Sequence, residues 1–94
     1  MTKQYIHQLA DTILDLQTRN EAIEFLEGIL TPSELVDISQ RLQIVILLKR
    51  GISQREIASK LGVGIATVTR GSKELQNGRF TQIPWRTSHN RRRG

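Results

Sequence analysis

The chain contains no cysteine. Disulfides and thiolate metal sites are thereby excluded, and a reducing cytoplasm is the expected compartment. Aromatic residues are scarce, with only Tyr5, Phe25, Phe80 and Trp85. The core must therefore be aliphatic. An RNA-recognition sheet or a single-strand stacking platform, both of which need exposed rings, is disfavoured. Long apolar runs are lacking too: the longest, Ile44 to Leu48, is far too short to cross a bilayer. No charged-then-apolar leader opens the chain, and no membrane association is expected. The parts of an enzyme are missing as well. His7 and His89 lie in different regions without carboxylate or cysteine partners. Asp11 and Asp15 share a helical face, but an ordinary polar face accounts for them without a metal. No strand is predicted, so no glycine-rich phosphate loop follows one.

With 94 residues the chain can form one domain with a modest core, and dimerisation would add buried area. Its charge is uneven. Residues 1–30 set Lys3 and Arg19 against Asp11, Asp15, Glu21, Glu24 and Glu27, whereas residues 31–94 set the other twelve basic residues against Glu34, Asp37, Glu56 and Glu74. A basic second half fits a polyanionic partner.

The periodicity predicts helices throughout. Ile6, Leu9, Ile13 and Leu16 mark one face of a helix over 3–17. Arg19-Asn20 reads as a break, with Asn20 capping a second helix whose inner face is Ile23, Leu26, Ile29 and Leu30. Thr31-Pro32-Ser33-Glu34 combines a capping box with proline at the first helical position. The helix it opens carries Leu35, Ile38, Leu42 and Val45 on one stripe, then becomes apolar all round and stops at Gly51. Ser53 caps a short helix that ends at Gly62, and a last helix runs from Ile65 to Gln76 before Asn77-Gly78. The expected organisation is a helical domain over 1–78 followed by a basic, disordered tail over 79–94, in which Thr81 to Gly94 holds four arginines and no acid.

Residues 53–76 have the pattern of a helix-turn-helix. Ala58 is small enough for close helix crossing, and Gly62 suits a turn that needs positive φ. Ile57, Leu61, Val63 and Val68 point inward. Gly64, Ala66, Thr67, Thr69 and Arg70 are small or polar on the outer side of the second helix, where a core helix would be apolar. Such a helix fits the major groove. Ile65 and Ala66 suit thymine methyls, Thr69 a base or phosphate, and Arg55 a guanine edge. Gln54 opens the first helix beside the backbone. Lys60 and Lys73 complete the expected double-stranded DNA contacts, together with Gly64 and Thr67.

Ser53-Gln54-Arg55-Glu56, followed by Gly64-Ile65-Ala66-Thr67-Val68-Thr69-Arg70-Gly71-Ser72, closely resembles the tryptophan operon repressor family. Leu30-Thr31-Pro32 and Arg41 match it as well, so the likeness spans residues 30–76. It implies an intertwined, all-helical homodimer that binds palindromic operator DNA as a transcriptional repressor, with L-tryptophan as corepressor. Arg41 and Arg70 would sandwich the indole, and Arg70 would also pair with the ligand carboxylate, tasks that suit a planar, permanently charged guanidinium. Thr31 would bond that carboxylate, and the carbonyls of Gly28 and Leu30 would accept from the ammonium. Ile44, Thr67 and Gly71 would line the slot, Gly71 leaving room for the ring.

The chain departs from the family pattern in three places. Glu74 replaces a hydroxyl that helps hold the ligand ammonium. Ala58 and Gln76 replace two lysines that assist DNA contact, for which Lys60 and Lys73 compensate. An arginine-rich tail replaces a final amphipathic helix. Two other readings remain open at this point: a ligand-independent regulator of the same family, with Arg41 and Arg70 on phosphates, and a module that binds protein or RNA.

Overall fold

The structure, a computed structural model, describes residues 2–83. Those residues form helices α1 (Thr2–Asp15), α2 (Arg19–Ile29), α3 (Pro32–Lys49), α4 (Gln54–Leu61) and α5 (Ile65–Gln76), with no strand among them. The expected all-α class is what is found. None of these helices is long and apolar enough to cross a membrane. The chain divides into two compact units after Val36.

In the N-terminal unit, α1 ends at Asp15, two residues before the expected limit. The start of α2 corrects the sequence reading. Thr18, not Asn20, is its N-cap: the Thr18 hydroxyl accepts from the Glu21 amide at 3.0 Å, and the Glu21 carboxylate accepts from the Gln17 amide at 2.8 Å. Both residue types can cap, but only Thr18 has an acid three residues on; Asn20 has Ile23 there. The start of α3 is as expected. Glu34 N–H donates to Thr31 Oγ1 at 3.1 Å, and Thr31 N–H donates to Glu34 Oε1 at 2.8 Å. This reciprocal pair satisfies two amides that the helix itself leaves without partners. Neither α1 nor α2 contains a buried residue, and Ile6, Leu9 and Ile13 on the apolar stripe of α1 are 42–57% exposed.

The C-terminal unit holds the core. Ile44, Val45, Ile46 and Leu47 of α3 are buried, which confirms a helix enclosed on every side over this run. Ile44 and Leu47 cluster with Ile57 of α4 and Val68 of α5, both fully buried. Leu48, Ile52, Ala58, Leu61 and Val63 pack around that cluster. The inward set read from the helix-turn-helix pattern is therefore the observed one.

Three helix ends in this unit share one device. After α3, α4 and α5, a glycine (Gly51, Gly62, Gly78) takes a positive φ. The next amide then reaches back five residues: Ile52 to Leu47, Val63 to Ala58, and Arg79 to Glu74, at 3.0–3.1 Å. This is the Schellman arrangement, which brings the residue after the glycine over the last turn of the helix. Ile52 and Val63 use it to join the core. Gly62 stands at φ 67°, ψ 35°, where a side chain would crowd its own backbone. Gly62→Ala is expected to destabilise the protein by about 1–2 kcal/mol, because no neighbouring atom obstructs the methyl and only the backbone penalty applies. Urea denaturation monitored by circular dichroism checks this, and an unchanged midpoint would refute it.

Candidate DNA-reading face and ligand cleft

Helix α5 presents three faces. Val68 turns to the core. Ile65, Thr69 and Lys73, four residues apart, fall on a second face. Thr67, Arg70, Gly71 and Glu74 fall on a third, where they line a cleft.

The second face continues into the start of α4. Ser53 caps α4, its hydroxyl accepting from the Glu56 amide at 3.1 Å. Gln54 and Arg55 follow, Gln54 half-buried and Arg55 exposed. Thr69 Oγ1 lies 2.7 Å from Gln54 Oε1 and 3.0 Å from the Ile65 carbonyl, and donates its one hydrogen between them. The bond to Gln54 ties the two helices and turns the Gln54 amide nitrogen away from Thr69. Ile65 is 51% exposed, a large apolar side chain at the head of a helix. Gly64, Ala66, Thr67, Lys60 and Lys73 are exposed too.

Helix α5 also begins differently from α2, α3 and α4 in its charge. Glu21, Glu34 and Glu56 lie in the first turns of α2, α3 and α4. The first turn of α5 has no acid, and Gly64 supplies no side-chain cap. Its leading amides and the positive end of its dipole are therefore open to an anion.

The cleft lies between α3 and α5 and has a volume of about 670 Å3. Arg41, Ile44 and Val45 line it from α3, and Ala66, Thr67, Arg70, Gly71 and Glu74 from α5. Of the expected ligand-binding set, the structure thus brings together Arg41, Ile44, Thr67, Arg70, Gly71 and Glu74. Thr31, Gly28 and Leu30 belong to the N-terminal unit. Arg41 and Arg70 are exposed, Ile44 is buried and Glu74 is half-buried. Cations at an apolar cleft keep their water contact while their stems cover apolar surface. A Cβ at Gly71 would lie 3.1 Å from Ile44 Cγ2 and 3.6 Å from Leu48 Cδ1. The glycine therefore allows α5 to approach α3 closely as well as lining the cleft.

Four lining residues lie outside the expected ligand-binding set: Val45, Arg79, Phe80 and Ala66, the last expected only as a DNA contact. Arg79 Nε lies 3.5 Å from Glu74 Oε1. Residues 79–83 form turns, and Lys49 Nζ donates to the carbonyls of Phe80 and Ile83. A signal for this was present in the sequence. Asn77-Gly78 after a helix predicts a Schellman turn, and that turn sets the residue after the glycine beside the one five positions earlier. The rest of the expected tail, with Pro84, Trp85, His89 and the arginines, lies outside the described residues. Among the described residues no helix follows α5, and no group of three metal-ligating side chains occurs.

A short helix, a glycine-closed turn and a second helix packed across a third define a helix-turn-helix protein. The chain belongs to the Trp repressor protein family, whose pattern it matches over residues 4–83. It is 41% identical over 70 residues to a Trp operon repressor homolog of Vibrio vulnificus, a match covering 73% of this chain and 69% of the relative. It is 53% identical over 53 residues to a Trp operon repressor homolog of Xylella fastidiosa, covering 55% and 58% of the two chains. No solved structure matches. Family membership makes the protein a repressor-type regulator of transcription and not an enzyme.

The Gln54–Thr69 bond is part-buried and joins the two helices of the motif. Thr69→Val, which keeps the shape and removes the hydroxyl, is expected to lower stability by about 0.5–1.5 kcal/mol. A chemical-denaturation midpoint equal to that of the wild type would show that the bond carries no net energy.

Proposed function

We propose that this protein is a homodimeric repressor that binds operator DNA through α4 and α5 and uses L-tryptophan as its corepressor. The observation that carries the reading is the cleft on the rear of α5. Arg41 and Arg70 stand at an aliphatic wall there, on the same helix whose other face offers Ile65 and Thr69. One helix thus has a ligand side and a DNA side, and an occupant of the first bears on the second.

The cleft suits an amphipathic zwitterion. Two guanidinium planes can face an aromatic ring and one can grip a carboxylate. Ile44 and Val45 supply apolar surface, and Glu74 supplies an anion for an ammonium.

On DNA, the uncapped, acid-free start of α5 meets a phosphate, while Ile65, Ala66 and Thr69 face base edges. Arg55 reads a guanine, Gln54 donates to the backbone, and Lys60 and Lys73 neutralise phosphates. Gly64 lies against the same groove, whereas Thr67, also expected as a DNA contact, is on the cleft side of α5. The apolar stripes of α1 and α2 support the dimer in this reading. A monomer that leaves Ile6, Leu9, Ile13, Ile23 and Ile29 at 42–57% exposure carries a large apolar surface without a partner. A cytoplasmic location goes with this function and with the absence of cysteine.

Coupling requires that tryptophan bind the DNA-competent state more tightly, and linkage makes the effect reciprocal. Calorimetric titration of L-tryptophan is therefore expected to give tighter binding in the presence of a duplex selected from a randomised pool. Equal affinity with and without that duplex would refute the switch even if both ligands bind. Arg70→Ala is expected to abolish tryptophan binding, and wild-type affinity in that variant would remove the guanidinium sandwich. Arg55→Ala is expected to weaken the selected duplex by about 1–3 kcal/mol more than a random one. An equal loss on both would reduce Arg55 to a phosphate contact.

A further inference from the structure

The third Schellman turn differs from the first two. Where Ile52 and Val63 return to the core, the equivalent position after α5 is Arg79, and the residue it returns to is Glu74. The apolar contact that usually closes this turn is replaced by an ion pair at the rim of the cleft. The turn is held from outside by Lys49, which binds the carbonyls of Phe80 and Ile83. Phe80 also takes a left-handed backbone conformation, φ 64°, the only non-glycine residue to do so among those described. Such a conformation is costly for an aromatic residue and points to function when its surroundings hold it in place. Here it goes with Phe80 and Arg79 both lining the cleft.

Resting on the tryptophan reading above, we propose that Arg79 is a built-in competitor for Glu74. It occupies the carboxylate in the free protein and yields it to the α-ammonium of the ligand, so the turn after α5 sets the requirement for a free amino group. The pair suits this exchange. The two side chains are 72% and 43% exposed, and exposed pairs of this kind are weak. An ammonium on a ligand already held by its ring and carboxylate meets Glu74 as an intramolecular partner at high effective concentration, enough to displace so weak a pair. An acid lacking the amine leaves the pair closed. It meets only Arg41, Arg70 and the outer charge of Arg79, with no new partner for Glu74.

Two ligands separate the roles of Arg79: L-tryptophan, and indole-3-propionate, which keeps the ring and carboxylate but lacks the amine. Calorimetry on the full chain is expected to show that Arg79→Ala tightens L-tryptophan about two- to fivefold and weakens indole-3-propionate. Glu74→Gln is expected to weaken L-tryptophan and to cancel the effect of Arg79→Ala in the double variant. Arg79→Lys, which keeps the charge, is expected to retain the wild-type preference between the two ligands. Circular dichroism confirms that the variants are equally helical. If Arg79→Ala weakens both ligands alike, Arg79 is a simple attractor of carboxylates and the competitor is refuted. An unchanged ratio refutes it too, while leaving tryptophan binding intact. A wild-type protein that binds neither ligand overturns the tryptophan reading itself, and this inference with it.

Discussion

The C-terminal unit depends on the burial of Ile57 and Val68 against Ile44 and Leu47. Two of these four side chains come from short helices, of eight and twelve residues, that would be marginal alone in water. Each has a single buried residue, and each buried residue lies on the same part of α3. Once Val68 is directed inward, helical geometry settles the rest of α5. Ile65 and Thr69 must point one way and Thr67, Arg70 and Glu74 another. The cleft-lining side of α5 and the side that carries Ile65 and Thr69 are thus consequences of a single packing contact.

The ends of the helices matter as much as their packing. α2, α3 and α4 start with a side-chain cap and an acid; α5 starts with neither. A missing cap costs stability, on the order of 1 kcal/mol, and leaves amides with unused hydrogen-bonding capacity. At the head of the helix that would enter DNA, that capacity suits a phosphate. The glycine-closed ends follow the opposite logic: they return the chain to the core twice and to the cleft once.

Charge is distributed to match. The cations of the cleft are exposed, so they bear little desolvation cost. Arginine at positions 41, 70 and 79 adds planarity and a charge that no neutral environment removes. The N-terminal unit carries its excess of acids on helices whose apolar faces remain open in a single chain. The regulator thus keeps the acidic, apolar surface and the basic surface in different stretches of sequence.

Much of this was legible in residue order. The span of α5, the capping box of Thr31 and Glu34, the stops at Gly51, Gly62 and Gly78, and the inward set of the helix-turn-helix all follow from interactions within about five residues, which capping rules and helical period describe. Even the one misplaced cap obeyed a local rule, since Thr18 has its acid three residues on and Asn20 does not. The cleft was different. Arg41 and Arg70 became a candidate pair only through family likeness, because nothing local relates residues twenty-nine positions apart. Lys49 binding the carbonyl of Phe80, Gly71 admitting Ile44, and Thr69 joining Gln54 all span chain separations that no periodicity encodes. Helices, their ends and their faces depend on neighbours along the chain and are therefore readable in residue order. Which faces meet, and with that the position of Arg79 and Phe80 at the cleft, depends on how distant helices fill a shared core.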